Sequence, residues 1–210
     1  MWAQAKFDEV GLAVLAAQVI PPIAEPGAGA ITARALSLSF RDDSTRRHCE
    51  RLSSRAVALG QALQLPADDI HALRLGGMVH DVGKLFIPED ILNKPSQLSA
   101  HERSIVKEHP ALGERFCAPV KALAPALPAV RHHHERFDGS GYPDHLCGEQ
   151  IPLIARIVQI VDIFDALTTE RPYKAAWTAE QSLGTMATEA ERGWLDERLL
   201  REFAALVTKR

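Results

Sequence analysis

Apolar residues recur at intervals of three and four along most of this chain, the spacing that gathers side chains on one face of a helix. Cys49, Leu52, Ala56, Leu59 and Leu63 form the first clear stripe, with His48 about one turn into that helix. Pro66, followed by Asp68 and Asp69, predicts the start of a second helix, because a missing amide and early negative charge both suit a helix N-terminus. That helix runs toward His80 and Asp81. Ser99 and Glu102 have the spacing of a capping box and open a third, with Ile105, His109, Leu112 and Phe116 along one stripe. Pro110 kinks this stretch or ends its first part. A fourth helical stretch ends at His132, His133, His134 and Glu135, and the segment DGSGYPDHLCGEQIP after it has neither helical nor strand periodicity, so it reads as an ordered Gly-rich loop. Ile151 to Leu167 is a long apolar helix carrying Asp162 and Asp165. Thr178 with Gln181 caps another, and Leu199, Leu200, Phe203 and Leu206 fill a last one. No segment alternates with period two, so the expected fold class is all-α.

Residues 21–30, PPIAEPGAGA, combine helix breakers with small flexible residues, and predict a division into an N-terminal helix with its linker, 1–30, and a main body, 31–210. The apolar run Gly11 to Ile20 stops at Pro21 and Pro22, short of a membrane-spanning length. Asp8 and Glu9 offset Lys6 ahead of it, unlike the basic start of a secretory leader. The expectation is an amphipathic helix, with Trp2, Phe7, Val10 and Val14 at mostly helical spacing, packing on the body rather than on a second copy. The sequence leaves the oligomeric state open. With 210 residues, 46% of them hydrophobic, the chain is long enough to bury a real core. A formal net charge of -3 without a long basic run speaks against a nucleic-acid polymer as partner. Three cysteines, Cys49, Cys117 and Cys147, lack the close pairing of a zinc site or disulfide framework, which fits a reducing cytoplasm.

The histidines carry the chemistry. His80-Asp81 are adjacent, His109 lies on a separate helix, His133-His134 are adjacent, and Asp162 interrupts an apolar run. Imidazole and carboxylate without thiolate are ligands expected for iron, manganese or zinc, and argue against a structural zinc site. An unpaired buried carboxylate is costly, so Asp162 should meet a cation; an ion pair to an arginine such as Arg156 is the plain alternative. His132 is the weakest of the three consecutive histidines, since neighbours on a helix diverge by about 100° and only two of three can face one site. His71, His101 and His145 read as exposed or capped residues. In MVHDVGK, Gly83 permits close approach, and Lys84 can neutralise a phosphate oxygen or simply stand in a solvated turn. Arg171, Tyr173 and Lys174 follow the Asp162 helix closely enough to reach its site. Basic residues beside a dimetal centre suggest a phosphate ester.

The segments VHDVGKLFIPEDILNKP, HHHERFDGSGYPDHLCGEQIPLIARI, VDIFDALTTERPYK and GWLDERLLREF together resemble the HD-GYP family of cyclic dinucleotide phosphodiesterases, from about Ser39 to the C-terminus. The resemblance implies an HD-type helical bundle with an ordered loop at Gly141, Tyr142 and Pro143. It implies that His48, His80, Asp81 and Asp162 hold one metal, that His109, His133 and His134 hold a second, and that Asp81 bridges both. Lys84, Tyr142, Arg171 and Lys174 match positions that approach the phosphates or bases of the substrate. Two divalent cations are expected, iron first and manganese as the alternative. Some members carry a glutamate four residues before the first histidine for a third metal, whereas this chain has Ser44. Phe137 stands where a tryptophan is common. The implied activity is hydrolysis of cyclic di-GMP to linear pGpG; the resemblance leaves open whether a second cut to GMP follows and whether a signalling protein is a further partner. The alternatives are a catalytically silent receptor for the messenger and an enzyme for another cyclic dinucleotide such as cyclic GMP-AMP.

Overall fold

A computed structural model describes residues 43–170 and 175–208. The expected N-terminal helix and linker at 1–30, and the residues Arg171, Tyr173 and Lys174, lie outside them. The described chain contains nine α-helices: α1 (Asp43–Ala62), α2 (Ala67–Val79), α3 (Glu89–Leu92), α4 (Ala100–Val106), α5 (His109–Cys117), α6 (Leu127–His132), α7 (Leu153–Thr168), α8 (Ala179–Glu191) and α9 (Glu197–Thr208). Short 3-10 turns occupy Val82–Phe86, Lys121–Ala126 and Gly148–Gln150. Among the described residues no strand forms; Asp138 and Cys147 make one isolated antiparallel bridge across the Gly-rich loop. No described helix is long and apolar enough to cross a membrane.

Local signals explain most boundaries. Both capping boxes form: Ser99 Oγ accepts from Glu102 N at 3.2 Å while the Glu102 carboxylate accepts from Ser99 N at 2.7 Å, and Thr178 and Gln181 repeat the exchange at the start of α8. The expected third helix is two helices. A proline cannot supply the amide that continuation through it requires, so α4 ends at Val106 and Pro110 sits in the first turn of α5, where that amide has no partner in any case. The break also moves the buried stripe of α5 onto His109, Pro110, Gly113 and Cys117, leaving Leu112 and Phe116 only partly covered.

Two apolar clusters hold these helices together. The larger gathers Leu52 and Leu59 of α1, Leu73 of α2, Ile157 and Val161 of α7, Met186 of α8 and Phe203 of α9. Each fully buried Leu or Ile contributes roughly 1.5–3 kcal/mol relative to exposure. The smaller contains Val79, Val82, Cys117, Leu123 and Val130. α2 and α6 belong to both, so His80-Asp81 and His133-His134 emerge where the clusters meet.

Candidate metal centre

The candidate ligand side chains arrive from five separate segments. His48 projects from α1, His80 and Asp81 follow the end of α2, His109 is the first residue of α5, His133 and His134 turn out of α6, and Asp162 sits on α7. They converge as two groups, His48 with His80 and Asp162, and Asp81 with His109, His133 and His134, each with its ligand atoms within 4.8 Å of one another. Asp81 stands between the two. Its Oδ2 lies 3.3 Å from His80 Nε2, and its Oδ1 lies 3.2 Å from His109 Nε2 and 3.7 Å from His133 Nε2. His48 Nε2 is 3.4 Å and His80 Nε2 4.0 Å from Asp162 Oδ1.

The other ring nitrogen fixes three of the imidazoles against backbone carbonyls. His109 Nδ1 meets Val106 O at 2.8 Å, His133 Nδ1 meets Ala129 O at 3.0 Å, and His80 Nδ1 meets Gly77 O at 3.3 Å. A carbonyl oxygen only accepts, so Nδ1 carries the proton and Nε2 presents its lone pair to the centre. Burial lowers His133 and lowers His134 well below the ordinary imidazole value, and neighbouring imidazoles add to that. Both therefore stand neutral, the form that ligates. Burial by itself would raise the Asp81 carboxyl, yet Lys84, His80 and the approach of His109 and His133 hold it well below the usual carboxylate range. His80 Nε2 and Asp81 Oδ1 are buried without a hydrogen-bond partner, an arrangement costly for polar atoms alone and well suited to a shared cation. The donor set is nitrogen and oxygen throughout. Burial pushes the Cys49 thiol up to about 12, so that sulfur stays protonated.

Several expectations are corrected. Asp162 is not the fully buried carboxylate; its side chain is 23% exposed and faces the cavity. The deeply buried one is Asp165, 1% exposed, one turn further along α7. Burial there is opposed by hydrogen bonds from Arg51 at 2.8 Å and from His48 Nδ1 at 2.8 Å, and by Arg55, which together keep Asp165 ionised. The arginine suggested for Asp162, Arg156, instead pairs with Asp196 at 2.7 Å. Asp165 was missed although the same argument from apolar neighbours applied to it equally. Behind His48 it orients the ring, so Asp165→Asn is expected to weaken cation binding about 10–100-fold, as loss of a ligand's outer partner does. A cation titration of the variant at fixed pH checks this, and unchanged affinity refutes the role.

Of the three consecutive histidines, His132 turns away, with its Nδ1 3.4 Å from Asp144 Oδ2. Together with Glu135 and Asp144 it makes a third group of potential ligands, but both Asp144 oxygens already accept from Arg131 at 2.7 Å. That group clamps the Gly-rich loop: the buried Glu135 carboxylate accepts from Asp144 N at 2.7 Å, and Gln159 donates to Glu135 O. Gly141 is obligatory here, because a Cβ would lie 2.1 Å from Arg136 N and 2.4 Å from Glu135 Cα. The clamp presents Tyr142, whose ring stacks on His134 with centroids 4.9 Å apart. Lys84, its side chain 42% exposed, stands at the edge of the centre, with Nζ 2.5 Å from Asp81 Oδ2. Ser44 is exposed, one turn before His48. A cavity of about 360 Å³ opens on His133, His134, Asp162 and Tyr142, within the about 300–1,000 Å³ of small-molecule sites.

A family model described as HD domain matches residues 34–199. The chain is 41% identical over 164 residues to the cyclic di-GMP phosphodiesterase response regulator RpfG of Xanthomonas campestris, covering 77% of this chain and 43% of that protein. It is 38% identical over 173 residues to the cyclic di-GMP phosphodiesterase PA4108 of Pseudomonas aeruginosa, covering 81% of this chain and 41% of the relative. The chain thus spans less than half the length of these relatives. A solved cyclic GMP-AMP specific phosphodiesterase of Vibrio cholerae (V-cGAP3) superposes with a TM-score of 0.64 at 20% identity, over 86% of this chain and 48% of that one, which is a likeness of fold.

Proposed function

The chain belongs to the HD-domain family, with the residues of its HD-GYP type, and on that premise we propose that it hydrolyses cyclic di-GMP to linear pGpG and onward to GMP. The observation that carries the reading is the placement of Asp81, one oxygen toward each group of imidazoles. His48, His80 and Asp162 would hold one divalent cation, His109, His133 and His134 the other, and Asp81 both. The nitrogen and oxygen donors suit iron first and manganese second. When bound, the cations lower the pKa of water and stabilise charge on phosphorus-bound oxygens.

The chain's own residues do the rest. Lys84, at the edge of the centre beside Asp81, takes a non-bridging phosphate oxygen as charge accumulates there. Tyr142, fixed against His134, supplies an aromatic wall, and the family resemblance assigns Arg171 and Lys174, outside the described residues, to the phosphates or bases. The domain proposed for this work is 31–210, acting in the cytoplasm and answering to a signalling partner. The silent-receptor reading would be favoured by a missing ligand, and among the described residues each expected ligand position holds a His or Asp.

Metal analysis of anaerobically purified protein, followed by chromatography of products from cyclic di-GMP and cyclic GMP-AMP side by side, tests the reading. Bound iron or manganese with pGpG formed faster than any cyclic GMP-AMP product supports it; cation-loaded protein that binds cyclic di-GMP without cleaving it overturns catalysis in favour of a receptor. Lys84→Ala is expected to keep its cations and to lose about 10²-fold in kcat, the scale of one lost charge-stabilising donor. If that variant loses its metal instead, Lys84 supports the ligands and not the phosphate.

A further inference from the structure

The cavity that opens on His133, His134 and Asp162 has a second wall, made by Arg136, Glu189 and Trp194. Arg136 follows the histidine turn, Glu189 lies in the last turn of α8, and Trp194 stands in the loop before α9. Trp194 N donates to Glu189 O at 3.0 Å, closing the turn that ends α8, and Phe137 N donates to Trp194 O at 3.1 Å, which joins that turn to the distant histidine turn. The Arg136 guanidinium lies over the indole of Trp194, 3.8 Å from its centroid, with Arg192 at 5.4 Å. Stacking on an aromatic plane fixes a guanidinium while leaving its edge donors available. Arg136 Nη1 makes only a 3.5 Å contact to Ser140 Oγ, and the Glu189 side chain makes no hydrogen bond or ion pair among the described residues.

We propose that Glu189 and Arg136, with Trp194 as the positioning residue beneath the guanidinium, form a recognition site for one guanine base of the cyclic dinucleotide. Guanine presents the adjacent donors N1–H and N2–H to a carboxylate and the acceptors O6 and N7 to an arginine fork. Adenine turns a lone pair at N1 toward the same carboxylate and a donor at N6 toward the arginine, so it is repelled at both. A phosphate group would satisfy Arg136 alone, but Glu189 on the same wall disfavours a second anion. A site lined with polar groups of this kind rejects the mismatched base because those groups are left unpaired. The assignment rests on the proposed cyclic dinucleotide chemistry and adds to it a preference for guanine over adenine.

The test uses the full chain loaded with iron(II) or manganese(II), and compares kcat/KM for cyclic di-GMP and cyclic di-AMP. Glu189→Gln is expected to lower kcat/KM for cyclic di-GMP about 10–100-fold, the loss of a charge-assisted hydrogen-bond pair, with bound cation unchanged. The preference for cyclic di-GMP over cyclic di-AMP narrows by the same factor. Trp194→Leu raises KM for cyclic di-GMP while kcat holds, and Trp194→Tyr recovers most of that loss; a merely structural tryptophan would lower kcat as well and not be rescued. An unaltered preference in Glu189→Gln overturns the site. Wild-type protein that cleaves neither substrate defeats the phosphodiesterase reading instead, and calorimetric binding of cyclic di-GMP then decides this one: at least tenfold weaker binding by Glu189→Gln upholds it, equal binding overturns it.

Discussion

Replacing Asp81 by alanine is expected to strip both cations and to lower kcat/KM for cyclic di-GMP at least about 10³-fold. The carboxylate is the one group whose oxygens face both sets of imidazoles, so its removal costs each set its shared anionic ligand. What is lost in rate is the several kcal/mol by which paired cations stabilise the transition-state charge, and each 1.36 kcal/mol is a factor of ten. Fold should survive, because Asp81 lies outside both apolar clusters and carries a half-buried charge, its side chain 22% exposed. Cation content by elemental analysis, circular dichroism and product formation measured on one preparation check all three statements. Hydrolysis near the wild-type rate with stoichiometric metal would falsify the bridging assignment.

The second large effect is on stability. In Gly83→Ala the new methyl would stand 1.8 Å from His109 O, 2.6 Å from Gly113 N and 2.8 Å from His109 C. These are backbone atoms, which cannot swing aside as a side-chain end does, so the 3-10 turn at Val82–Phe86 must lift from α5. A cost of about 3 kcal/mol, the upper part of the usual overpacking range, lowers Tm by roughly 6–12 °C for a domain of this size. Because Asp81 precedes the turn and His109 begins α5, the same movement separates two ligands, and cation retention falls along with Tm. Gly184→Ala in α8 is the control: a Cβ there meets nothing within 4 Å, and a helix-interior alanine should leave Tm unchanged or slightly raised. Equal Tm for Gly83→Ala and wild type refutes the close approach.

Much of this architecture was legible from apolar spacing, because helical periodicity and capping are local signals. The stripe through Leu52, Ala56 and Leu59 and the two capping boxes needed only a few neighbouring residues to specify them. The long-range pairings were less accessible. Nothing near Asp165 in the chain announces Arg51 and Arg55, more than a hundred residues earlier, and the apolar context that pointed to Asp162 marks Asp165 equally. The outward turn of His132 followed from helix geometry, while its partner Asp144 depended on how the Gly-rich loop folds back. The wall formed by Arg136, Glu189 and Trp194 had no local signature, since Arg136 meets the other two only where Phe137 N bonds Trp194 O, more than fifty residues away in sequence.

The two apolar clusters divide the metal centre between them. His48 and Asp162 stand on helices of the larger, His109 on a helix of the smaller, and the pairs His80-Asp81 and His133-His134 follow helices shared by both. Cations held by such a set would act as rivets through the seam between two packed halves. Each site filled at a hundredfold excess over its dissociation constant adds about 2.7 kcal/mol to the folded state. Chelation would therefore loosen the protein along a defined plane, and the supply of metal would govern how rigidly the halves are joined.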